Sequence, residues 1–355
     1  MFQINGDFVG TGYNPFIIAE LSANHGGSIE RAKASIAAAK NAGASAVKIQ
    51  SYTPDTMTMK SSKEDFLIPE GLWKGYNLYD LYQAAYTPYE WHSELFAFAK
   101  QINVTLFSTP FDETAVDLLE RLNTPAIKIA SFELTDLPLI EYAARLKKPM
   151  FMSTGMATLE EIAEAVESCK KAGCKDLLLF HCISNYPADL SDAQLNNILA
   201  LKQEFNVEVG LSDHTTSNLA SIIAVSMGAV AIEKHFKLDD EDCGPDASFS
   251  ILPDQLKSLV EDCSFARHAL GKPDFSRPKT EASNKRFRRS LYFCKPLKAG
   301  HVITDADIRR IRPGFGLDPK FFKDVIGLKL ANSVEAADPV KWEHFESKNL
   351  PNRRP

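Results

Sequence analysis

No run of apolar residues in the sequence approaches the roughly 20 needed to span a bilayer as a helix, so no membrane partner is expected. The opening stretch, MFQINGDFVGTGYNPF, lacks a basic segment ahead of an apolar one and does not read as a secretory signal. Cysteine is sparse. The six residues (Cys169, Cys174, Cys182, Cys243, Cys263, Cys294) form no CxxC pair and no zinc-knuckle spacing, so reduced thiols in a cytoplasmic protein are expected. Positive charge is not in excess. The formal net charge of −6 gives no reason to expect nucleic acid, although an acidic protein can still hold a local basic pocket. The glycine-rich GxGxxG turn is also missing. ELSANHGGS stands where a doubly wound dinucleotide-binding sheet would carry it.

What is present is an alternation. The length of 355 residues suggests roughly two domains. Across residues 16–270, short apolar runs alternate with amphipathic helical stretches. The runs lie at 16–21, 46–51, 105–110, 126–131, 149–154, 176–182, 208–214 and 229–236. Several helical stretches end in glycine, and Thr158 with Glu161 reads as a capping box. Alternating strands and helices predict parallel β/α units. Eight of them predict a closed (β/α)8 TIM barrel over residues 1–271. Residues 52–90 form an aromatic-rich excursion after the second strand, too long for an ordinary loop. Residues 272–290 are polar and basic, as in a linker. Residues 291–355 read as a small second domain of short strands and Gly/Pro turns.

In such a barrel, chemistry sits at the C-terminal ends of the strands. Strand parity puts Lys48 with Gln50, Ser212 with His214, and Glu233 with His235 on shared faces. Glu20, Thr109, Ser131, Ser153 and Ser184 also stand at or just beyond strand ends. Each has a bland reading. A lone histidine is more often structural, a lone lysine reaches out to water, and a serine caps a helix. The combination is harder to dismiss. Lys48 and Lys128 interrupt apolar strands and need anionic partners, and the hydroxyls around them suit phosphate or carboxylate oxygens. His214 and His235 end adjacent strands and could share a divalent metal, with water and substrate completing the shell. Lys234 has the opposite parity and is expected to face the helix layer or solvent. His25 and His92 are assigned core or capping roles.

The motifs FIIAELSANHGGS, AGASAVKIQSY, FSTPFD, IKIASFE, STGMAT, GLSDHT and EKHF…GPDASFS resemble the sialic acid synthase family. These enzymes condense phosphoenolpyruvate with an amino sugar. RSLYFCKPLKAGHVITDADIRRIRPGFG is similar to that family's antifreeze-like (SAF, β-clip) domain. Within the family, LWKGYNLYDLYQAAYTPYEWH and Ser184 resemble the pseudaminic acid synthase branch.

The resemblance implies a site. Phosphoenolpyruvate would be bound by Lys48, Thr109, Lys128, Ser131, Ser153 and Ser212, and Mn2+ (or Co2+ or Mg2+) by His214 and His235. An N-acetylated hexose, 2,4-diacetamido-2,4,6-trideoxy-L-altrose in this branch, would lie near Glu20, Gln50, Ser184, Tyr186 and Asp246. Glu20 would either orient the sugar or move protons, and Glu233 would support the metal from behind. Arg312 would reach the active site of a partner subunit in a domain-swapped homodimer. The alternatives are N-acetylneuraminate or legionaminate synthesis by the same chemistry, a sugar-binding barrel without activity, and an ice-binding role for the second domain. The charged DADIRRIR and KFFKD suit ice poorly.

Overall fold

The computed structural model describes residues 1–241, 244–276 and 278–346. Asp242 and Cys243 of the eighth loop, Arg277 of the expected linker, and residues 347–355 lie outside the described residues.

Eight parallel strands close into a barrel. They are β1 (Phe16–Glu20), β2 (Ala46–Ser51), β3 (Thr105–Pro110), β4 (Ile127–Ile129), β5 (Met150–Ser153), β6 (Leu177–Cys182), β7 (Glu208–Asp213) and β8 (Ala231–His235). Long helices follow them in turn: α1 (Ile29–Asn41), α2 (Tyr89–Gln101), α3 (Glu113–Arg121), α4 (Leu137–Ala144), α5 (Leu159–Lys171), α6 (Asn197–Phe205), α7 (Leu219–Ser226) and α8 (Pro253–Leu270). The capping box at α5 forms as read. Glu161 N–H donates to Thr158 Oγ1 at 3.2 Å, and Thr158 N–H donates to Glu161 Oε2 at 2.8 Å.

Each strand is apolar on its helix-facing side, and the interior side is apolar toward the N-terminal ends and polar toward the C-terminal ends. Along β2, Val47 and Ile49 pack into the helix-facing core, while Ala46 faces the interior. The interior toward the N-terminal ends is filled by aromatics. Phe151 meets Phe107 and Phe180 edge-on, with ring centroids at 5.5 and 5.6 Å. A hairpin of Phe2–Ile4 with Asp7–Val9 adds Phe2, Ile4 and Val9 to this cluster. The plug leaves room for a cavity at the C-terminal ends of the strands. Gly210 of β7 lets the plug pack this closely: a Cβ there would lie 2.6 Å from a Phe180 ring carbon and from the Ala231 carbonyl.

Two polar clusters interrupt the helix-facing layer. Ser51 Oγ bonds His92 Nε2 at 2.7 Å, and His92 Nδ1 donates to the Pro88 carbonyl at 3.0 Å. Burial holds His92 down at about 4, so it stays neutral. Lys234 faces the helix layer, not solvent. Its ammonium donates to Asp213 Oδ2 at 2.9 Å and to the Thr215 carbonyl at 2.6 Å.

β4 is shorter than expected. The chain turns into a 3-10 helix at Ser131–Glu133, so Ser131 sits on a turn instead of a strand. The excursion is structured, with helices at Pro54–Met57 and Leu78–Ala85 and a bridge between Leu67 and Asn77. Trp73 ties it down, since its indole N–H donates to the Pro245 carbonyl at 3.1 Å.

The chain divides into two compact units, Met1–Gly271 and Lys272–Pro355. In the second, β9 (Ser290–Phe293) pairs antiparallel with β10 (Ile308–Ile311). Isolated bridges such as Leu297 with Val334 and Leu330 with Phe345 extend this β framework around a core that includes Leu291, Phe293, Ile308 and Val340. Residues 272–290 carry a helix at Lys279–Ala282 and a 3-10 segment at Ser283–Phe287, and Ser290 already belongs to β9. Among the described residues the cysteines form no disulfide, and no helix is long and apolar enough to cross a membrane.

Candidate active site

Barrel closure brings together residues far apart in sequence. Glu20 of β1 lies opposite Lys48 of β2 and opposite His235 of β8, and Glu233 lies opposite Ser212 of β7. Glu233 is the hub. Its Oε1 accepts from Lys48 Nζ at 3.0 Å, Lys128 Nζ at 3.0 Å and Ser212 Oγ at 3.3 Å. Lys48 Nζ also stands 3.1 Å from Glu20 Oε2. All five residues are buried.

Burial and pairing divide the protons unevenly. Burial pushes the Glu233 carboxyl up, but Lys128 and Lys48 outweigh it and bring it down to about 2. Burial raises Glu20 to about 7, with Lys48 opposing. Burial depresses Lys128, whereas at Lys48 the neighbouring Glu20 and Glu233 outweigh burial and raise it. Two lysines thus face one firmly ionised carboxylate and a second that takes a proton near neutrality. The cluster is short of negative charge, which suits an anionic ligand.

The two histidines stand together, with ring centroids 5.4 Å apart. His214 Nδ1 donates to the Ile183 carbonyl at 2.9 Å, which leaves Nε2 as the acceptor nitrogen. His235 is held well below the ordinary imidazole range by burial, reinforced by His214 and Lys48, so it is neutral. Its buried Nδ1 makes no hydrogen bond, and Asp246 Oδ2 stands 3.9 Å away. At His214 burial lowers the pKa, but Cys182, the Ile183 carbonyl and Glu233 outweigh it and raise it, so a divalent transition metal would displace a ring proton there, whereas His235 is already neutral. Among the described residues no group of three or more His, Cys, Asp or Glu side chains is arranged to hold one. The rest of a coordination shell would fall to water and substrate.

These groups line a cavity of about 550 Å3, within the size range of small-molecule sites. Glu20, Lys48, Gln50, Lys128, Ser131 and Ser153 are on its wall, as are Tyr186, Ser212, His214, His235 and Asp246. Thr109 and Ser184 are not among the lining residues. Thr109 is buried with its hydroxyl unpaired, and Ser184 Oγ lies 3.7 Å from Cys182 Sγ. Arg312 belongs to the second unit, where it is exposed.

Three further lining groups escape motif reasoning. Cys182 Sγ is 3.8 Å from His214 Nδ1. Burial raises the thiol, but His214 outweighs it, with Ser131 and Ser184 assisting, and brings it to about 7. Burial raises Glu133, on the turn after β4, to about 7. Trp73 packs against Tyr186 and Phe249 and roofs the cavity. Parity alone could have flagged Cys182. Trp73 belongs to the aromatic excursion expected over the catalytic face, whereas Glu133 carries no local signal.

The family profile described as the NeuB family matches residues 35–274, and the SAF domain profile matches residues 288–346. The chain is 45% identical over 330 residues to a pseudaminic acid synthase of Campylobacter jejuni, covering 93% of this chain and 96% of that protein. It is 43% identical over 333 residues to the pseudaminic acid synthase of Helicobacter pylori, covering 94% and 98%. Among solved structures, the N-acetylneuraminic acid synthetase of Leptospira borgpetersenii superposes with a TM-score of 0.71 at 29% identity, covering 80% of this chain and 94% of that one.

Proposed function

The chain belongs to the NeuB family, and on that premise we propose that it condenses phosphoenolpyruvate with 2,4-diacetamido-2,4,6-trideoxy-L-altrose and water to give pseudaminic acid and phosphate. The observation that carries this reading is the Glu233 hub, which holds two ammonium groups beside a pair of imidazoles at the barrel mouth.

Lys48, Lys128 and the hydroxyls of Thr109, Ser131, Ser153 and Ser212 are assigned to the phosphate and carboxylate of phosphoenolpyruvate. Glu233 keeps the two ammonium groups converged and ionised before the ligand arrives. Glu20, Gln50, Ser184, Tyr186 and Asp246 are assigned to the sugar, with Arg312 contributed by a partner subunit. His214 and His235 would hold a divalent cation, Mn2+ first and Co2+ or Mg2+ as substitutes. When bound, it supplies Lewis acidity toward the sugar aldehyde.

Carbon 3 of phosphoenolpyruvate forms a bond to the aldehyde carbon, and the aldehyde oxygen takes up a proton. Water adds at carbon 2, and the carbon–oxygen bond to phosphate breaks, releasing inorganic phosphate. Glu20, held near neutrality by burial, is assigned both hydrogen bonding to the sugar and proton transfer there.

The test is phosphate release with Mn2+, phosphoenolpyruvate and each of three sugars: the altrose above, N-acetylmannosamine and the legionaminate precursor. The altrose should turn over fastest. Clear turnover of another sugar with none of the altrose would overturn the assignment.

A further inference from the structure

The cavity has two chemically distinct ends. The inner end is the lysine, hydroxyl and histidine cluster. The outer end is built by the excursion after β2, which contributes Met57, Ile68, Leu78 and Leu81 together with Tyr52 and Tyr82. Tyr52 is buried and meets Tyr82 edge-on at 5.8 Å, so this wall is packed. The Trp73–Pro245 hydrogen bond closes it against the eighth βα loop.

Resting on the reading above, we infer that this apolar wall is the specificity determinant for the far end of the sugar: it selects a methyl at carbon 6 over a hydroxymethyl. The aldehyde is at carbon 1 and must reach phosphoenolpyruvate among the lysines and hydroxyls. Carbon 6, at the opposite end of the open chain, is then directed toward the excursion. A wall in which Met, Ile and Leu side chains predominate offers a methyl group apolar contact and a hydroxyl few hydrogen-bonding partners, namely Thr56 and the hydroxyls of Tyr52 and Tyr82. Apolar pockets reject an added hydroxyl by a factor of about 10 to 100, and that is the preference expected here.

The experiment compares kcat/KM for the 6-deoxy altrose with that for its 6-hydroxy counterpart, in the wild-type chain and in Met57→Gln and Leu78→Asn. These replacements keep side-chain size, introduce polar atoms, and sit on separate helices, so loss of fold in one leaves the other readable. In each variant the preference should fall by about tenfold, mostly through KM for the 6-deoxy sugar, while KM for phosphoenolpyruvate stays at the wild-type value. An unchanged preference in folded variants overturns the inference while the functional reading stands. Failure of the wild-type chain to use the 6-deoxy sugar overturns both.

Discussion

At Glu133 a carboxyl is carried on a 3-10 turn into the cavity wall, with Oε2 buried and without a hydrogen-bond partner. Burial raises it to about 7 from an ordinary 4.5. The native state therefore binds this proton more tightly than the unfolded chain does. The cost to stability is absent below about pH 4.5, grows as pH rises toward 7, and is constant above that. Glu133→Gln should match wild type at pH 4.5 and be more stable at pH 8, by about 1 to 3 kcal/mol, the upper end being the full shift. Glu20 imposes the same trend on both proteins and cancels in the difference. Denaturant unfolding of ligand-free protein across this range checks it, and a difference that is flat with pH would refute it. At this scale the sequence was half legible. Parity put Glu233 and His235 on one face, but the convergence of Lys48, Lys128 and Ser212 on one carboxylate oxygen depends on strand stagger, which no local pattern records.

At the scale of elements, the loop after β5 shows how backbone makes room for chemistry. Gly155 does not adopt a left-handed conformation, so alanine is allowed by its backbone. A Cβ there would nevertheless lie 2.1 Å from Ser184 Oγ and 2.7 Å from Ser131 Oγ, and Gly155 N–H donates to Ser131 Oγ at 3.1 Å. Gly155→Ala should leave the melting temperature nearly unchanged. It should raise KM for phosphoenolpyruvate by about tenfold, the scale of one misplaced hydrogen-bonding group. Steady-state kinetics with a thermal melt tests both halves, and an unaltered KM would remove Ser131 from the phosphoenolpyruvate site. The strands themselves were legible because each is a short apolar run between capped helices. β4 was overread because IKIAS stays apolar past the point where the backbone turns. The excursion was visible as an interruption, but its fixing by one indole hydrogen bond was not, since Trp73 and Pro245 are 172 residues apart.

At the scale of the whole molecule, Arg312 belongs to the second unit and is exposed there. Its assignment to a partner's active site makes a prediction that single-chain chemistry does not. On that assignment Arg312→Ala would remove a sugar contact from the partner's site, whereas Lys48→Ala would disable the subunit's own barrel. Each homodimer should be nearly inactive. A heterodimer of the two, purified through separate tags, contains one barrel with intact Lys48 facing an intact Arg312, so about half of the wild-type sites are restored. Activity in verified heterodimers that stays at the level of the weaker single variant would place Arg312 outside any shared site. Recovery toward half of wild type, with wild-type KM values for both substrates, would establish that each active site takes residues from two chains.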